Sequence, residues 1–88
     1  MKYRSRSDIV GLILNAANGG GATKTKLMYR AYLSFAQLRE YLGLLVENGL
    51  IEYERHQTYR TTEKGIRLLQ IHDKMEELAP LSFAEKAK

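Results

Sequence analysis

The chain has 88 residues and a mass of 10.1 kDa with 44% hydrophobic residues, enough for one compact domain and too little for two independent cores. It contains no Cys, which excludes disulfides, thiolate metal sites and cysteine nucleophiles. The formal charge of +4 is uneven: residues 1–39 carry seven Lys or Arg against the single acid Asp8, whereas residues 61–88 carry five side chains of each sign.

The positive field thus belongs to the front of the chain, as expected of a surface that meets an anion, although the same side chains also serve simply to solvate a surface. The first apolar segment, Ile9 to Leu14, is short and interrupted by Gly11. A secretory signal or a membrane span needs a longer run, so the expectation is a soluble, cytoplasmic protein with no membrane partner.

Ser7 is placed to cap a first helix over about residues 8–17, with Asp8 in its first turn. Ile9, Ile13 and Ala16 share one face, widened by Val10, Leu12 and Ala17, so this helix needs tertiary cover. Asn18 and Gly19 to Gly21 end it. The three glycines lack the spacing of a phosphate-binding loop and follow a helix rather than a strand, so they read as a connection.

Thr23 caps a second, shorter helix to about Ala31, with Leu27, Met28 and Ala31 inward and Lys24, Lys26 and Arg30 outward. Tyr29 and Tyr32 lie at the boundary, suited either to phosphates or to part-buried rings with wet hydroxyls. Ser34 and Gln37 form a capping-box pattern that starts a third helix. Its apolar stripe is Phe35, Leu38, Leu42 and Leu45, flanked by Tyr41 and Val46, and Asn48-Gly49 ends it. The link between these two helices, Tyr32 to Ser34, has the length a helix-turn-helix requires.

In that arrangement the third helix offers its first turns to the major groove. Gln37 suits adenine, Arg39 suits guanine and Ser34 suits a phosphate, whereas Glu40 repels phosphate unless it accepts from cytosine N4 or pairs with Arg39 or another basic side chain.

Two strand-like segments follow, Leu50 to Arg55 and Thr58 to Thr61, joined around His56-Gln57. Ile51 and Tyr53 fall on one side of this ribbon and Glu52 and Glu54 on the other. A two-stranded ribbon needs support from the helices. Arg55 and Arg60 are placed to bracket a nucleic-acid backbone or minor groove beside the recognition helix, while Glu52 and Glu54 weaken the local field. His56 reads as an exposed turn residue. With only His72 elsewhere and no ligand cluster in the sequence, no metal site is expected.

Thr62, followed by Glu63, starts a last helix that extends to Leu78 or Ala79, before Pro80. Ile66 and Leu69 point toward the domain core. Leu68, Ile71, Met75 and Leu78 make a second apolar face, suited to a second copy of the chain or to folding back over the first helix. The fold expected is α+β, mainly helical: a winged helix-turn-helix with a two-stranded wing and an additional C-terminal helix. Residues 1–62 make the DNA-binding region, 63–79 the dimerisation helix and 80–88 a tail.

The segment Thr25-Lys-Leu-Met-Tyr-Arg-Ala-Tyr-Leu-Ser-Phe-Ala-Gln-Leu38, then Tyr41-Leu42, Leu45, Gly49-Leu-Ile51, and Tyr59 with Thr61-Thr-Glu-Lys-Gly65 before Leu68-Leu69, resembles a family of small archaeal winged-helix DNA-binding proteins. These are chromatin proteins or transcriptional regulators that dimerise through a C-terminal antiparallel coiled coil. The resemblance covers about residues 7–79. It implies a nucleoid-associated homodimer in which the helix from Ser34 recognises double-stranded DNA and the 55–60 wing flanks it. One departure is Pro80, which limits the last helix to about 17 residues and implies a compact or altered dimer.

Two other readings remain open. One is a protein-interaction winged helix, supported by Glu40, Glu47, Glu52 and Glu54 and by the apolar last helix; the other is a general DNA-coating protein. No cofactor signature is present, and Asp8, Glu47 and the two His residues form no catalytic constellation in the sequence, so no enzyme is expected.

Overall fold

The computed structural model describes residues 4–78. Helix α1 spans Arg6–Ala17, strand β1 Ala22–Thr23, helix α2 Lys24–Ala31 and helix α3 Phe35–Glu47. Strands β2 (Ile51–Glu54) and β3 (Thr58–Thr61) follow, then helix α4 (Glu63–Leu78). The expected tail, residues 80–88, lies outside the described residues, as does Ala79. This is the expected α+β, mainly helical winged helix-turn-helix with a C-terminal helix.

The cap of α1 differs from expectation. Ser5, not Ser7, is the N-cap: its Oγ accepts from the Asp8 N–H at 3.1 Å, and its own N–H donates to Asp8 Oδ2 at 3.2 Å. Both serines precede Asp8, but only Ser5 has the three-residue offset that lets hydroxyl and carboxylate satisfy each other's backbone donors. The helix consequently begins two residues earlier.

Thr23 caps α2 as expected, its Oγ1 accepting from the Lys26 N–H at 3.2 Å. The helix ends at Tyr32, whose φ of 56° turns the chain left-handed into the connection to α3. The guanidinium of Arg4 donates to the carbonyls of Ala31 and, at 3.1 Å, Tyr32, and lies 5.5 Å from the centroid of the Tyr32 ring. One of the front-end positive charges thus holds the C-terminus of α2.

The sheet is three-stranded and antiparallel, in the order β1-β3-β2. The β2–β3 pair is the expected wing, with Tyr53 opposite Tyr59 and Glu52 opposite Arg60. β1 was not expected. Ala22 pairs with Tyr59 and Thr23 with Thr58, so the connection after α1 is drawn against the wing. At Gly21, φ is +86° and an added Cβ would lie 2.6 Å from Thr58 Cγ2, so glycine is required twice over.

The core lies among α1, α2, α3 and the base of the sheet: Ile13, Leu14, Leu27, Leu38 and Ile51 are each no more than 1% exposed. Burial of each such side chain stabilises the fold by about 1.5–3 kcal/mol. Thr61 Oγ1 donates to the Leu14 carbonyl at 2.6 Å, tying β3 to α1 inside this core. Leu69 brings α4 into the cluster and Ile66 is half-buried, as the helical phase predicts.

The start of α4 is pressed on the turn after α3. Thr62 Oγ1 donates to the Gly49 carbonyl at 2.6 Å, Thr62 N–H to Leu50 O at 3.0 Å, and Lys64 Nζ to Asn48 O at 2.8 Å. Gly49, with φ of +72°, provides the left-handed residue that ends α3.

Candidate nucleic-acid interface

Helix α3 presents its N-terminal turns at the surface. Ser34 Oγ accepts from the Gln37 N–H at 3.2 Å, and Gln37 Oε1 accepts from the Ser34 N–H at 3.0 Å, completing the capping box. The Gln37 amide oxygen is therefore engaged in holding the helix end, leaving its NH2 to donate outward. Bidentate pairing with adenine needs both amide atoms, so it requires this cap to open. The Ser34 hydroxyl keeps its proton to donate.

Phe35 departs from the expected apolar stripe: it is 45% exposed, and the flanking Val46 43%, whereas Leu38, Leu42 and Leu45 are buried. The reason is a groove of about 280 Å3 between α3 and the wing, lined by Phe35, Leu38, Leu42, Val46 and Tyr59, with Lys24 and Arg39 also on its walls. Lys24 Nζ lies 5.3 Å from the Phe35 ring centroid and Arg39 Cζ 5.2 Å from it. Two cations from different helices therefore share one exposed ring. Each contact of this kind at an exposed site is worth about 0.5–1 kcal/mol, enough to bias both charges toward the start of α3. The sequence marked Lys24 and Arg39 separately and assigned Phe35 to the core, so this platform was missed; the Phe35-to-Arg39 i,i+4 spacing was its signal.

Lys26 and Arg30 are exposed on α2, and Arg55 is exposed at the wing tip. Arg60 is ion-paired across the wing, its Nε 3.2 Å from Glu54 Oε2, so its charge is partly answered within the protein. The wing rings pack edge-to-face, with Tyr53 and Tyr59 centroids 5.2 Å apart. Burial, and secondarily the neighbouring Tyr53, pushes the Tyr59 hydroxyl above its ordinary pKa, so it remains a neutral donor at physiological pH. Arg55 and Thr58 flank a tight turn, closed by a 3.3 Å bond from the Thr58 N–H to the Arg55 carbonyl, in which His56 and Gln57 have φ of 60° and 57°.

The C-terminal face marked for dimerisation lies away from the core. Leu68, Ile71, Met75 and Leu78 are 37%, 56%, 45% and 78% exposed on α4. No helix among the described residues is long and apolar enough to cross a membrane.

The profile of the winged helix-turn-helix family matches residues 3–80. An uncharacterized protein of Methanocaldococcus jannaschii is 35% identical over 83 residues, 94% of this chain and 37% of its own length. A second uncharacterized protein of that archaeon is 31% identical over 65 residues, 74% of this chain and 66% of its own length. The chain thus spans less than two thirds of either relative. Among solved structures, Sso10a-2, a DNA-binding protein from Sulfolobus solfataricus, superimposes with a TM-score of 0.75 at 24% identity, over 96% of this chain and 90% of that one. ZitR of Lactococcus lactis superimposes with a TM-score of 0.68 at 21% identity, over 97% of this chain and 60% of that one. These likenesses support the fold, and with the sequence match across nearly the whole chain they place the protein, beside its archaeal relatives, in the winged helix-turn-helix family.

Proposed function

We propose that this protein binds double-stranded DNA as a homodimer and acts in transcriptional regulation. The observation that carries the reading is the convergence of Lys24 and Arg39 on the exposed Phe35 ring, at the first turns of the helix that this fold offers to the major groove. The description of Sso10a-2 as DNA-binding supports it. Lys24, Lys26, Arg30 and Arg55 contact phosphates, and the Ser34 hydroxyl and Gln37 NH2 donate to the backbone or to base acceptors. Arg60 joins them on exchanging Glu54 for phosphate. Arg39 reads bases, because its guanidinium forms no ion pair among the described residues and can meet guanine bidentately. Leu68, Ile71, Met75 and Leu78 join two copies, so that two basic heads meet one duplex.

The test is a titration of labelled duplexes, random and selected, across a range of salt concentrations. Affinity is expected to fall steeply with salt. Arg39→Ala should reduce preference for the selected duplex by about 1–3 kcal/mol with little change in salt slope. Flat salt dependence would remove the electrostatic basis of the reading, and equal loss on every duplex would move Arg39 to the phosphates. Equal affinity of the native protein for all duplexes would favour a general DNA-coating role, and absence of binding a protein-interaction module.

A further inference from the structure

We propose that Asp8, His72 and Glu76 form a binding site for one divalent transition-metal ion of the zinc class, clasping α4 to α1. The sequence carries two histidines far apart and no ligand cluster, but the fold brings the N-terminal turn of α1 against the middle of α4. His72 and Glu76 are four residues apart and share a face of α4. Asp8 arrives from α1, and one ligand atom from each residue lies within 4.8 Å of the others.

The local geometry leaves room for an ion. Asp8 uses Oδ2 to accept from the Ser5 N–H, while its Oδ1 faces His72 Nε2 at 3.7 Å. On the other side of the ring, His72 Nδ1 is 3.6 Å from Asp73 Oδ1. Both ring nitrogens are closed to solvent, yet neither forms a hydrogen bond with a described residue. A separation of 3.7 Å is too long for a good hydrogen bond and too short to admit a bridging water.

It does suit two ligands of one ion, because tetrahedral zinc with bonds of about 2.0–2.1 Å holds its ligands about 3.3 Å apart. Nε2 is then the metal ligand, and Asp73 Oδ1, 3.6 Å from Nδ1, stands on the side of the ring where a carboxylate orients a metal-bound imidazole once the two close to hydrogen-bonding distance. Gly11 gives the ring its seat: a Cβ there would lie 3.2 Å from His72 Cε1. A groove of about 270 Å3 bordered by Val10, Gly11, Leu68 and His72 adjoins the ring.

The donor set selects the class of ion. An imidazole with two carboxylates is borderline rather than hard, which favours zinc, cobalt or nickel over magnesium or calcium, whose sites are built from oxygen. Two carboxylates also neutralise a divalent charge, as a site between two packed helices requires. Three protein ligands leave a fourth position for water.

The test uses the full chain, untagged and stripped with chelator, titrated with zinc by calorimetry and with cobalt by visible absorption. The expected result is one ion per chain, intense cobalt bands of a four-coordinate site, and a higher thermal midpoint with zinc. His72→Gln should abolish uptake, and Glu76→Gln should weaken it by about tenfold or more. His56→Gln should leave it unchanged. Asp8→Asn also disturbs the α1 cap, so Glu76→Gln, with metal-free circular dichroism matching the native chain, decides the outcome. Absence of saturable uptake, uptake that survives His72→Gln or Glu76→Gln, or loss on His56→Gln would overturn the proposal.

Discussion

Gly65 and Gly43 are both helical glycines, and an added methyl would have opposite consequences at the two positions. At Gly65 the new Cβ would lie 2.2 Å from the Leu50 carbonyl oxygen and 2.6 Å from Thr61 Cγ2, and that carbonyl already accepts from Thr62. A backbone oxygen fixed in a turn cannot retreat as a flexible side chain can. Gly65→Ala is therefore expected to destabilise the fold by about 2–3 kcal/mol in urea unfolding. Gly43 meets nothing within 4 Å, and Gly43→Ala, measured the same way, should stabilise by up to about 1 kcal/mol. Equal effects would mean that α4 does not press on the α3 turn as described. The sequence could not separate the two glycines, because the distinction lies in a contact with Leu50. Arg4 illustrates the same limit: its charge was legible, whereas its use on the Ala31 and Tyr32 carbonyls depends on where α2 ends in space.

At the scale of elements, legibility followed local chemistry. The start of α3 was readable because Ser34 and Gln37 carry a complete reciprocal cap, and its end because Asn48-Gly49 supplies a left-handed stop. β1 was not, since two residues have no period and their partner, β3, lies about 35 positions away. The platform on Phe35 escaped because periodicity assigns a face without showing whether that face is covered. The wing turn was readable as a turn but not as a strained one. His56 and Gln57 both take positive φ, a conformation that two-residue hairpins reserve for Asn-Gly and similar pairs. Replacing them jointly by Asn-Gly should stabilise the protein by about 1 kcal/mol in chemical denaturation. A neutral or destabilising result would show that the native side chains compensate the strain.

The whole molecule is longer than its size suggests. Its extents are 41 × 26 × 20 Å and its radius of gyration is 12.9 Å, against about 12 Å for a compact domain of this length. The difference fits a helix α4 whose first turns are docked and whose later apolar side chains are not. If those side chains join two copies, Ile71→Glu should leave monomer stability within about 0.5 kcal/mol, because the residue is already exposed, yet halve the mass seen by sedimentation. A native chain that sediments as a monomer at tens of micromolar, or a variant that remains dimeric, would count against the α4 interface.

The joint between α3 and α4 gives that arrangement a further property. Thr62 and Lys64 bind the carbonyls of Asn48, Gly49 and Leu50, so the helix that would reach DNA and the helix that would reach the second copy meet at a fixed angle. A dimer hinged on such a rigid elbow behaves as a ruler. It measures the distance between two contact points on the duplex, and lengthening that interval by about half a helical turn, roughly five base pairs, carries the second contact to the far side of the double helix.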